Sequence, residues 1–60
     1  MTALIETKAE ALRSVEDHGT LEGIAQWLID HLVVRGDVRW DGKDWVLSDS
    51  ARYLLRGEER

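Results

Sequence analysis

Seven apolar residues between positions 21 and 33 recur at the spacing of one helix face: Leu21, Ile24, Ala25, Leu28, Ile29, Leu32 and Val33. A stripe this long must be buried against something. The chain has 60 residues, and a domain of that size buries only roughly 60% of the surface its unfolded form exposes, so every apolar face counts. The stripe predicts a helix from Thr20 to about Arg35. Thr20 is its expected cap, Gly36 its stop, and Arg35 sits favourably at the negative end.

Three further elements follow from pattern. Leu4, Ile5, Ala9, Leu12 and Val15 predict a helix from about Thr2, as its cap, to Asp17, stopped by Gly19. Val38 and Trp40 alternate with polar neighbours, as do Trp45 and Leu47, and Asp41-Gly42-Lys43-Asp44 lies between them. That predicts a hairpin turning at Asp41-Gly42 or at Gly42-Lys43. Either register puts Val38, Trp40, Trp45 and Leu47 on one face, which is expected to pack on the second helix. A short helix closes the chain, capped by Ser48 or Asp49, with Ala51, Leu54 and Leu55 inward and Gly57 as its end. The expected class is α+β: two helices, a hairpin and a short C-terminal helix, in one domain over residues 1–57 with a frayed tail at 58–60.

Composition removes several classes of function. There is no cysteine, so neither a disulfide nor a thiolate metal site staples the fold. Small scaffolds without such staples often self-associate. Hydrophobic residues make up 43%, too many for a disordered acidic chain. The apolar runs are too short to span a membrane, and the first residues do not read as a secretory signal, so a cytoplasmic protein is expected. An enzyme is not expected, because a catalytic pocket needs concave walls as well as a core.

The back half carries a resemblance. Leu32-Val33-Val34-Arg35-Gly36-Asp37-Val38 is followed by Trp40-Asp41-Gly42-Lys43-Asp44-Trp45, then by Leu47-Ser48-Asp49-Ser50-Ala51-Arg52-Tyr53-Leu54-Leu55. This resembles the second half of a winged-helix domain: a reading helix ending in Arg-Gly, a strand, a glycine-containing wing, a strand ending in Leu-Ser, and a short helix. The front half departs from the family's pattern. The first helix is long for the role, and an extra helix and strand common in the family are missing.

The resemblance implies DNA contact through the start of the second helix and through the wing. The residues in those places are Thr20 and Gln26 for bases, Arg39 and Lys43 for phosphate. The charge argues against it. The sequence has 12 acidic and 8 basic residues, a net charge of −4, and Glu16, Asp17 and Glu22 crowd the reading end.

The second helix has another apolar side. Gly23, Trp27 and Val34 fall opposite the main stripe at 100° per residue, with Asp30 and His31 beside them. Either the rest of the chain covers both sides, or Gly23, Trp27, His31 and Val34 form a contact patch. Tryptophan is enriched among interface hot spots. The first helix offers another route to a two-fold pair. Trp40 and Trp45 are expected to pair across the strands, either as the hairpin's share of the core or with one of them as a binding anchor at the base of the wing.

Other constellations are weak. Asp17-His18 and Asp30-His31 put carboxylates beside imidazoles, but neighbours on a helix point apart, so no metal is expected. Ser14, Asp17 and His18 lack the arrangement of a catalytic triad. Gly19-Thr20 is too short for a phosphate loop, and no cofactor is expected. The acidic residues read as a solvated surface, or as one that competes with nucleic acid for a basic partner. The expectation is a small non-enzymatic interaction module, self-associating or subunit-bound, with a protein partner or homodimer. The alternative is a small winged-helix DNA-binding regulator.

Overall fold

The computed structural model describes residues 3–58. Its elements are α1 (Lys8–His18), α2 (Gln26–Arg35), β1 (Val38–Trp40), β2 (Trp45–Leu47) and α3 (Asp49–Glu58). The order is the expected α+β sequence of two helices, a hairpin and a closing helix, an arrangement consistent with a small winged-helix-like topology.

Both leading helices begin later than the apolar spacing predicts, for one shared reason. Ile5 pairs with Ile24 in a parallel bridge. The Ile5 N–H donates to the Gly23 carbonyl at 2.8 Å, and the Ala25 N–H donates to the Ile5 carbonyl at 2.9 Å. Extended backbone at Ile5 therefore satisfies extended backbone before α2, and neither segment is free to coil. Gly23 holds φ +80°, a conformation outside the right-handed helix. Leu21, Ile24 and Ala25 still pack into or against the core, but from a turn and a bridge rather than from a helix face.

The caps shift accordingly. Thr7 precedes α1 in extended conformation, and its carbonyl accepts the first helical bond from Ala11. Thr2, the expected cap, lies outside the described residues, as do Glu59 and Arg60 of the expected tail. Thr20 does not cap α2: it lies well upstream, where its Oγ1 accepts the Glu22 N–H at 3.3 Å. Ala25 precedes the helix instead, without a side-chain cap bond. The helix ends match expectation closely. Gly19 and Gly36 terminate α1 and α2 at φ +70° and +76°.

The hairpin takes the register that turns at Gly42-Lys43: Val38 faces Leu47, Arg39 faces Val46, and Trp40 faces Trp45. The indoles of Trp40 and Trp45 meet edge to face at 5.9 Å. Val38 and Leu47 are buried and Trp45 half-buried, but Trp40 is 55% exposed, so it lies mostly outside the core. The sheet is shared among the three helices rather than lying on α2 alone. β1 packs on α2, whereas β2 packs on α1 and α3.

Ser48 caps α3, its Oγ accepting the Ala51 N–H at 3.1 Å. Ala51 and Leu55 are buried, while Leu54 is 46% exposed at the edge of the inward face. Gly57 does not end the helix, which runs on to Glu58. A glycine in a helix costs about 1 kcal/mol against alanine, so it need not break one. Among the described residues Leu12, Val15, Leu32 and Leu55 are the largest fully buried side chains, and each of the three helices contributes to this set.

Candidate interaction face

The outer side of α2 carries the clearest exposed apolar feature. Trp27 is 58% exposed and Val34 is 86% exposed. They are seven residues apart, two helical turns, so both project along one line. Asp30 and His31 are exposed between them. Leu28 and Leu32 anchor the opposite side in the core. The same helix therefore has a filled inner face and an apolar outer one. Gln26 Nε2 donates to Asp30 Oδ1 at 2.9 Å along this surface.

Three of the four expected contact residues, Trp27, His31 and Val34, are thus brought together. Gly23 is not on α2. It lies in the preceding turn at φ +80°, with no atom of the described residues within 4 Å of the place a Cβ would occupy.

The expected DNA-contact residues scatter. Residues 19–25 separate α1 from α2, so the tight turn of a helix-turn-helix is replaced by a longer connection. Thr20 and Glu22 stand in that connection and only Gln26 is on the helix, its amide engaged by Asp30. Arg39 is exposed on β1, beside a cleft of about 520 Å³ that Arg52, Asp41 and Asp49 also line. Lys43 is in the turn, where its backbone N–H donates to Asp41 Oδ1 at 2.8 Å. The Asp44 N–H reaches the same oxygen at 2.7 Å. Those donors, Asp44 first and Lys43 next, hold the Asp41 carboxyl below its ordinary value of 3.8. Asp41 is thereby committed as a turn acceptor.

One polar feature escaped the sequence reading. Asp37 is 5% exposed, although strand alternation treats it as an outward hairpin acid. Its Oδ2 lies 3.2 Å from Lys8 Nζ and 3.5 Å from Arg35 Nε. Among the described residues that oxygen has no hydrogen-bond partner, so charge rather than bond geometry holds it. The contact ties the start of α1 to the junction between α2 and β1. No short-range sequence signal marks it, because Lys8 and Asp37 are far apart in the chain.

An apolar opening of about 380 Å³ lies between the start of α1 and α3, with Ala9, Leu12, Leu54 and Leu55 on its walls. Among the described residues no group of three His, Asp or Glu side chains is placed to hold a metal, and no helix is long and apolar enough to cross a membrane. Comparison with family models, curated proteins and solved structures finds no match.

Proposed function

We propose that this chain is a non-enzymatic protein-interaction module on a minimal winged-helix-like frame, with the outer side of α2 as its contact surface. The observation that carries this is the exposure of Trp27 and Val34 on one line of a helix whose other side is buried. A half-exposed tryptophan is a typical interface anchor, offering a large rigid area at low entropic cost. The duplex-binding alternative has less support. Its base-contact residues do not share the helix, and Asp41, Asp44 and Asp49 accompany the basic side chains of the wing.

Site-specific photocrosslinking in expressing cells tests the proposal. A photoreactive phenylalanine analogue at position 27 should give a discrete adduct. The same analogue at position 53, where Tyr53 is 80% exposed on α3, should not. No adduct at 27, or the same adducts from both positions, overturns the assignment of the face.

A further inference from the structure

The arrangement of charge around Trp27 and Val34 says which partner fits. At 100° per residue, Asp30 lies about 50° to one side of the Trp27–Val34 line and His31 about 50° to the other. The two are neighbours in sequence, so they differ by only about 1.5 Å along the axis. All four residues are exposed.

We infer that the partner is a second copy of this chain, with the two α2 helices side by side and parallel about a two-fold axis along them. The inference rests on the α2 face being the contact surface. Such an axis sets Trp27 against Trp27 of the second copy and Val34 against its Val34. It also carries each Asp30 to the flank where the other copy presents His31. Two carboxylate–imidazole contacts form, one on each side of the apolar seam. An imidazole N–H donates to a carboxylate in either protonation state. Gln26 holds the Asp30 carboxylate over this surface through its 2.9 Å bond.

The antiparallel alternative is disfavoured by the same geometry. A two-fold axis perpendicular to the helices leaves each flank on its own side. It would set Asp30 against Asp30 and His31 against His31, like against like on both flanks. Repulsion between the two Asp30 carboxylates therefore disfavours the antiparallel pair, and the Asp30–His31 hydrogen bonds favour the parallel one. The seam is short, since α2 has ten residues and presents two apolar side chains to it. An interface below about 1,200 Å² belongs with weak, transient complexes, so the dimer is expected to dissociate at micromolar concentrations or above.

Sedimentation of the full chain between about 10 μM and 1 mM at pH 7 tests this. The wild type should show reversible monomer–dimer exchange. His31→Asp places carboxylates opposite one another and should weaken the dimer at least about tenfold. The exchanged variant Asp30→His/His31→Asp rebuilds both contacts and should recover affinity to within about threefold. His31→Glu repeats the disruption with a better helix former. A wild type that stays monomeric overturns the proposal, as does a His31→Asp dimer of unchanged strength. So does a stronger dimer from Asp30→His alone, which points to the antiparallel pair. Crosslinking at position 27 separates the two readings. An adduct with a different protein, from a chain that is monomeric alone, overturns the dimer and keeps the face. No adduct at all overturns both.

Discussion

The backbone N–H of Trp45 donates to the carbonyl of Gly19 at 2.9 Å, fastening the first residue of β2 to the residue that ends α1. Gly19 stands at φ +70°, and a Cβ there would lie 3.0 Å from Asp44 Cβ. Gly19→Ala therefore meets both a left-handed backbone and a close neighbour. It is expected to cost about 1–3 kcal/mol. Gly36→Ala is the control, at φ +76° with no atom of the described residues within 4 Å of its Cβ position. It should cost only the backbone share, about 1 kcal/mol. Urea unfolding of the two variants checks the order, and equal costs would show that the Asp44 contact relaxes freely.

Trp27 and Leu28 are adjacent and face opposite environments. Leu28 is buried, while Trp27 is more than half exposed. Leu28→Ala is expected to remove about 2–5 kcal/mol, enough to unfold a marginal domain of this size. Trp27→Ala is expected to change stability by no more than about 1 kcal/mol. Thermal melts followed by circular dichroism read both. A Trp27→Ala chain that unfolds would place Trp27 in the core and remove the contact face.

The sequence placed the core better than it placed the backbone. Leu28, Leu32, Val38, Leu47, Ala51 and Leu55 were all expected inward and are buried. Turn chemistry marked the ends of α1 and α2, because only glycine adopts φ near +70° at little cost. The helix starts are not legible, because apolar spacing cannot tell a helix from a turn that buries the same side chains. Ile24 and Ala25 are buried in either case, and the bond from Ile5 that decides between them comes from far along the chain. One local clue was available: Thr7 and Glu10 have capping-box spacing, at the position where α1 begins. On α2 the second apolar side was legible in Trp27 and Val34, whereas its exposure depended on where α1 and the hairpin pack. Asp37 was illegible, since Lys8, one of the two cations it meets, lies far along the chain on α1.

Lys8 opens α1, where a positive charge opposes the helix dipole. Its place is explained by Asp37, 3.2 Å away and buried. Lys8→Met removes the nearer of the two cations at that carboxylate and leaves Arg35 at 3.5 Å, and is expected to cost about 1–2 kcal/mol. Asp37→Asn removes the charge that Lys8 answers. The double variant should therefore cost less than the sum of the singles, by at least about 0.5 kcal/mol. A double-mutant cycle in urea measures this, and strict additivity would mean the pair does not couple.

Asp41 gives the hairpin turn a pH dependence of defined sign. Donation from the Asp44 and Lys43 amides lowers its folded value, so the turn is stabilised above the ordinary value of 3.8. That contribution is lost as pH falls through the lower folded value. Amide exchange at Asp44 should accelerate on acidification from about pH 5 to pH 2, beyond the intrinsic pH effect. Asp41→Asn keeps an acceptor oxygen that does not titrate in this range, and its corrected exchange should stay flat. Parallel curves for the two proteins would place the acid sensitivity elsewhere.

A random duplex at low salt gives the competing function its best conditions, because phosphate contacts strengthen as salt falls. Arg39 and Lys43 are the exposed cations of the hairpin, yet Asp41 and Asp44 share its turn. Bases would have to be read by Gln26, whose amide is already engaged by Asp30. Amide NMR is therefore expected to show no localised shifts when duplex is added. Arg39→Ala/Lys43→Ala should leave the spectrum's response to duplex unchanged. Shifts centred on Gln26, Arg39 and Lys43 that vanish in this variant and weaken steeply with salt would reverse the assignment. The hairpin would then be a nucleic-acid wing, and the α2 face would have to serve it.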